Sequence, residues 1–217
     1  MESKIITYVN MLYTYFVASI FFWLYAAKGV LVYGLVPSAC SLFRFFHSEM
    51  EKGAANIREE LSFGYGLYKG KKFASFLFSF AIVSLYAGLF FVIKSQPPLA
   101  PMYVMILLYI LALVFLLFTY FCYFTAVKQA GDKEAFLYSY LAVFRKFKAS
   151  FFILLFLCLS FALAMINLPF FLVAAPSLYV KAVLSLLNKE RWFEKGKGAS
   201  ANRGKRTLLN QAVPCFS

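Results

Sequence analysis

Acidic residues are scarce in this chain, and none lies inside an apolar run. Nine of the 217 residues are Asp or Glu, against 22 Lys and Arg, and only one is His. The nine are Glu2, Glu49, Glu51, Glu59, Glu60, Asp132, Glu134, Glu190 and Glu194, all between or beyond the apolar blocks. Carboxylates at mid-membrane depth are the usual machinery of proton-coupled carriers and intramembrane aspartyl proteases, so both classes lose their working groups here. A serine nucleophile needs a neighbouring base, and no membrane-embedded histidine stands ready to activate Ser38, Ser75, Ser150 or Ser160.

Metal and nucleotide chemistry lack their signatures as well. Four cysteines form no C-x-x-C pair and the lone His47 supplies no second soft ligand, so no zinc or haem site is expected. Cys40, Cys122 and Cys158 read as small buried hydrophobes, and Cys215 falls in the tail. No G-x-x-x-x-G-K-[ST] run is present to cradle nucleotide phosphates. Gly64, Gly66 and Gly70 are interleaved with Tyr65, Leu67 and Tyr68 and follow no strand, which reads as a flexible lead into the helix opening at Phe73. The chain is therefore expected to be no enzyme, with no catalytic, cofactor-binding or metal residue.

What is abundant is apolar surface. Hydrophobic residues make up 63% of the chain, aromatics 21% and charged residues only 14%, more apolar surface than a soluble core of this size could hide. Met102 to Val127 runs 26 residues without a charge, enough to cross a hydrocarbon core of ~30 Å at about 1.5 Å per residue. Met1 to Thr7 precedes an apolar run with no small-residue cleavage site, which fits a retained helix. The fold class is an all-α membrane protein.

The first apolar stretch, Ile5 to Phe46, exceeds one crossing and is interrupted by Lys28, Gly29, Gly34 and Pro37. It divides into a helix over Ile5 to Tyr33 and a shorter one starting near Pro37, whose fixed φ and missing N–H suit a first turn. That second helix continues into cytosol with Arg44, His47, Glu49, Glu51 and Lys52. Further blocks are Phe73 to Ile93, Met102 to Val127, Ala149 to Ile166 and Phe170 to Leu187. The connections Arg44–Lys72 and Lys128–Lys148 are long and basic, whereas Lys94–Pro101 and Asn167–Pro169 are short. The positive-inside rule puts the basic ones in the cytoplasm. A single bundle of about six transmembrane or membrane-embedded helices follows, both termini cytoplasmic; five crossings, with Gly34 to Phe46 re-entrant, is the alternative.

Residues 1–193 form the bundle and 194–217 a basic, glycine-rich cytoplasmic tail. The net charge of +13 collects at block ends and in that tail, which suits anionic lipid of the inner leaflet and not nucleic acid. Lys28 and Lys94 are expected at the outer boundary, where they can snorkel; Lys181 interrupts the last block. Tyr8, Tyr13, Tyr15, Trp23 and Tyr25 read as interfacial and lipid-facing rings, and Ala112, Ala162, Ala164, Ala174 and Ala175 as surfaces for close helix packing.

An internal repeat appears at an offset of 75 residues. Arg58 maps to Lys133, Glu59 to Glu134, Phe63 to Tyr138, Tyr65 to Tyr140, Lys71 to Lys146, and Ala74, Ser75 and Phe76 to Ala149, Ser150 and Phe151. Both copies end a basic segment and open a spanning helix, as a duplicated helical hairpin would. Because an acidic residue gains nothing from an anionic surface, Arg58, Glu59, Lys71, Lys133, Glu134 and Lys146 are the candidate partner-docking residues. Gly34 and Pro37 are the structural helix break.

The run Val32, Tyr33, Gly34, Leu35, Val36, Pro37, Ser38, Ala39, Cys40, Ser41, Leu42 and Phe43 resembles the glycine, proline and small-residue signature of the YesL-like family of small bacterial membrane proteins. The charged, aromatic segment Ile57 to Ser75 and the closing residues Pro169, Pro176, Ser177 and Ala182 are similar to that family's later features. The likeness extends over roughly residues 8 to 193. It departs at Arg44 and His47, where the family usually has two basic residues, and at Ser75 and Ser150, where Asn is frequent. The resemblance implies a bacterial cell membrane and an accessory subunit beside the permease subunits of a carbohydrate ABC importer. A small solute transporter or channel acting alone is the other reading, with Asn10, Thr14, Ser19, Thr119, Thr125 and Asn167 as its sparse polar residues.

Overall fold

The computed structural model describes residues 2–52, 56–95 and 99–189. Among them the fold is all-helical: α1 Glu2–Lys28, α2 Leu35–Lys52, α3 Ile57–Tyr68, α4 Lys72–Ser95, α5 Ala100–Ala126, α6 Asp132–Arg145, α7 Phe147–Ile166 and α8 Leu168–Lys189. Two compact units divide after Leu184; the second is described only over 185–189, the end of α8. The tail expected at 194–217 lies outside the described residues.

Five helices are long and apolar enough to cross a membrane: α1 over Val9–Lys28, then α4, α5, α7, and α8 over Leu168–Asn188. Spans of 20 to 27 residues rise roughly 30–40 Å, the thickness of a hydrocarbon core or slightly more. The chain is therefore a multi-pass membrane protein by its helices. The short helix α2 is not among the five. Its first three turns are apolar and buried, Val36 through Phe43 together with Phe45 and Phe46, while its last turns carry His47, Glu49, Glu51 and Lys52.

The first helix stops at Lys28, earlier than the expected Tyr33, because the chain doubles back within six residues. A Cβ on Gly29 would collide with the Gly34 backbone, and one on Gly34 would stand 2.5 Å from the Ala26 carbonyl oxygen. Both glycines serve close approach, since the left-handed residues of the turn are Val30 and Leu31, at φ 56° and 58°. Pro37 enters α2 in its first turn, where no N–H is needed. The result is an antiparallel α1–α2 hairpin, closed at its far end by the Tyr15 and Phe46 rings with centroids 5.6 Å apart.

Backbone groups that a turn leaves unmet are costly near lipid, and Ser75 meets two of them. Its hydroxyl donates to the Val32 carbonyl at 2.7 Å and accepts from the Val36 N–H at 3.2 Å. Ser79 donates to the same carbonyl at 3.1 Å. The turn is thereby tied to the first two turns of α4.

The repeat reappears in the fold. Helices α3 and α6 begin at Ile57 and Asp132, and α4 and α7 at Lys72 and Phe147, 75 residues apart in each case. Ser150, the counterpart of Ser75, likewise reaches back to the preceding elements, donating to the Val143 carbonyl at 3.3 Å and pairing with the Tyr120 hydroxyl at 3.1 Å. By the same offset α2 corresponds to the C-terminal part of α5, and each packs on the amphipathic helix that follows it.

Burial concentrates at the basic end of the spans. Ala74, Ser75, Phe78 and Ser79 of α4, Leu116 and Thr119 to Ala126 of α5, and Ala149, Ser150 and Ile153 of α7 are buried, while the opposite halves of these helices are largely exposed. Phe78 sits between the rings of Phe118, Phe121 and Phe136 at 5.5–5.6 Å, within the range of favourable aromatic pairs. Gly64 lies inside α3, not in a flexible lead: a Cβ there would stand 2.9 Å from the Ser41 hydroxyl, which donates to the Leu61 carbonyl at 2.7 Å. Small residues on both helices let α2 and α3 touch.

Candidate functional site

Lys181 projects from the buried part of α8 among aromatic rings and one carboxylate. Its ammonium stands 4.7 Å from the Tyr15 ring centroid, 6.0 Å from that of Phe46, and 4.0 Å from Glu49 Oε2. That oxygen is buried and has no hydrogen-bond partner, so the ammonium is the charge that compensates it. A partly buried ionisable pair is expensive unless matched, and the aromatic faces lower the cost for the cation, which stands on the spanning helix α8. The sequence placed Glu49 outside the apolar blocks and Lys181 as an interruption of one. The α1–α2 hairpin brings them together across 132 positions.

A polar seam continues from this pair between α1 and α8. Ser19 and Ser177 share a hydrogen bond at 2.7 Å, Ser177 also donates to the Tyr15 carbonyl at 2.9 Å, and the Ser177 N–H reaches Ser19 Oγ at 3.3 Å. Trp23 Nε1 donates to the Leu172 carbonyl at 2.7 Å. Thr119 and Tyr179 pair at 2.8 Å. Of the sparse polar residues singled out from sequence, Ser19 and Thr119 thus join packing contacts, and Thr14 bonds back to the Asn10 carbonyl in its own helix. Thr125 Oγ1 is buried without a partner.

Around the C-terminal end of α2, Ser48 donates to Glu60 Oε1 at 2.6 Å, leaving Glu60 Oε2 buried and unmet. Arg44 covers the Phe63 ring at 4.9 Å. Tyr68 donates to the Ala126 carbonyl at 3.4 Å, and burial pushes its phenol above the ordinary value, Cys40 adding to the rise and Arg44 opposing it. Cys40 and Cys122 are buried neighbours, with Cys40 Sγ 4.0 Å from the Cys122 carbonyl, and Cys158 is exposed on α7.

The six docking candidates separate into different settings. Arg58 and Glu59 are exposed and line a shallow hollow with Ser62 and Phe63. Lys133 and Glu134 are exposed in the first turn of α6. Lys71 is half-buried and forms an ion pair with Asp132, joining the start of α4 to the start of α6. Lys146 caps the C-terminal end of α6. Glu59 and Glu134 each occupy the third position of a helix, where a carboxylate is stabilised by the positive end of the backbone dipole by about 0.3–1 kcal/mol. Their recurrence has a local cause that the sequence alone did not expose, because it depends on where α3 and α6 begin. Gly34 and Pro37 sit in the turn and first helical turn, as expected of a helix break.

No group of three or more His, Cys, Asp or Glu side chains among the described residues is placed to hold a metal ion. Fold and site together define an all-α multi-pass membrane protein in which Glu49 and Lys181 form a partly buried charged pair. No family model, curated protein or solved structure matches the chain.

Proposed function

We propose that this protein is a non-catalytic accessory subunit of a bacterial cytoplasmic membrane, binding the permease subunits of a carbohydrate ABC importer and supporting their assembly, stability or regulation. The partner class rests on the YesL-like resemblance. The observation that carries an interaction role is on α6, whose two apolar stripes have different fates. Ala135, Ser139, Ala142 and Val143 are buried against the bundle, whereas Leu137, Tyr140, Leu141 and Phe144, at helical spacing, are each more than half exposed. An amphipathic helix at the end of a bundle needs only one such stripe for its own fold, and the second fits a neighbouring membrane protein.

In this reading the basic connections and both termini are cytoplasmic. Support comes from α1, which runs antiparallel to α8 from Tyr15 beside Lys181 to Trp23 beside Leu172. A photo-crosslinking residue at Tyr140, with gentle-detergent recovery of the tagged protein, tests the proposal. Crosslinks to permease subunits are expected, and a clean homo-oligomer that moves solute in liposomes would overturn it. The transporter alternative draws on one observation, the Glu49–Lys181 pair, since ionisable groups inside spans commonly line solute or ion paths.

A further inference from the structure

Three lysines from separate elements meet at the α1–α2 turn without a carboxylate among them. Lys28 ends α1, Lys69 follows α3 and Lys72 opens α4, and all three are exposed around one cavity of about 480 Å³ whose wall includes Val30, Tyr33 and Tyr65. None of the three has an ion-pair partner among the described residues, in contrast to Lys71 and Lys181, which do. Sequence placed Lys28 with Lys94 at the outer boundary; the fold instead sets it beside Lys69 and Lys72, on the basic connection.

Two further features bear on what enters this cavity. Tyr65 is held by stacking on Tyr25 at 4.8 Å and Tyr33 by stacking on Phe76 at 6.1 Å, so both rings of the wall are positioned before any ligand arrives. Exposed apolar side chains adjoin the lining: Val30, itself in the wall, is 75% exposed and the next residue, Leu31, 54%, both in the left-handed region, and Phe73, next to Lys72, is 79% exposed. A β-branched residue held at positive φ is strained, and here the strain turns two aliphatic side chains outward next to three cations.

Cations around a hollow, with exposed apolar groups beside them, match a ligand with a phosphate at one end and acyl chains at the other. We propose that this cavity is a headgroup site for an anionic phospholipid, with Lys28, Lys69 and Lys72 holding the phosphate and Val30, Leu31 and Phe73 meeting the chains. Lysine at the ends of α1 and α3 also complements the helix dipoles, but Lys72 opens α4, where the dipole opposes a cation, so helix ends do not account for three lysines around one cavity. A soluble phosphate compound would share the ammonium contacts and ignore the exposed apolar side chains beside them.

The test uses the purified full chain in a neutral detergent, with lipid retention read by native mass spectrometry and stabilisation by thermal unfolding. Phosphatidylglycerol, phosphatidylcholine and inorganic phosphate are added separately. Phosphatidylglycerol is expected to bind and stabilise, and phosphatidylcholine and phosphate are not. In the triple variant Lys28→Gln, Lys69→Gln, Lys72→Gln, affinity for phosphatidylglycerol falls about fivefold per lysine removed, while Lys94→Gln, Lys128→Gln, Lys133→Gln leaves it within about twofold. Because all three cavity lysines are exposed, an unchanged gel-filtration profile of the triple variant confirms that it is folded. Equal losses in the two triple variants would reduce the effect to surface charge and overturn the site. Stabilisation by inorganic phosphate equal to that by the lipid would overturn the lipid assignment in favour of a soluble phosphate ligand.

Discussion

Trp23 completes a hydrogen bond that Pro176 cannot make. Pro176 lies inside α8 and has no N–H to offer the Leu172 carbonyl one turn back, and the indole of Trp23 donates to that carbonyl at 2.7 Å. A carbonyl left unmet inside a bilayer costs more than one at a water-facing kink.

Trp23→Phe keeps the ring bulk and removes the donor, and is expected to lower stability by about 1–3 kcal/mol, read as the unfolding midpoint in detergent. Pro176→Ala restores the backbone donor, so adding Trp23→Phe to it should cost appreciably less than in the wild-type background. An equal cost in both backgrounds would show that the indole does not compensate the proline.

A second expectation concerns the turn. Gly34→Leu drives a side chain into the Ala26 carbonyl, 2.5 Å from its Cβ position, and should abolish recovery of folded protein. Gly66 has nothing within 4 Å of its Cβ position and lies in α3, so Gly66→Ala should be neutral or stabilising by up to about 1 kcal/mol through helix propensity. Monodisperse yield after solubilisation distinguishes them, and a well-folded Gly34→Leu would mean the chain can open the turn.

How far the sequence reached differs by the length over which each feature is decided. The spans were legible because charge-free runs such as Met102 to Val127 announce themselves locally, and α5 and α7 begin and end within two residues of expectation. Helix α2 was harder. Its apolar half reads like part of a span, yet it is a short buried element that corresponds to only the C-terminal part of α5. Contacts such as Trp23 with Leu172 or Glu49 with Lys181 join positions more than 130 apart, and no periodicity encodes them. Gly64 looked like flexibility for the same reason: Ser41, the neighbour it accommodates, is on another helix.

The charged pair yields a third prediction. Removing one partner leaves the other poorly compensated, whereas removing both removes the desolvation cost as well. Glu49→Gln and Lys181→Met should each destabilise, and Glu49→Leu with Lys181→Met should be at least as stable as either single variant by thermal unfolding. If the protein is an accessory subunit, the double variant retains partner recovery. Loss of solute movement in liposomes reconstituted with an otherwise stable double variant would favour the transporter reading instead.

The final prediction separates the local role of the recurring glutamates from docking. At the third position of α3 and α6, Glu59 and Glu134 interact with backbone dipoles, so reversing both to Lys should cost about 0.3–1 kcal/mol each and leave membrane insertion intact. If their recurrence is only this helix-end preference, partner recovery in gentle detergent stays at the wild-type level. The exposed stripe on α6 should respond in the opposite sense. Tyr140→Ser with Phe144→Ser removes side chains that are more than half exposed, which leaves the unfolding midpoint nearly unchanged but should lower recovery of permease subunits severalfold. Should Glu59→Lys with Glu134→Lys abolish recovery while the stripe variant keeps it, the contact with the partner is electrostatic, and the apolar face of α6 belongs to lipid.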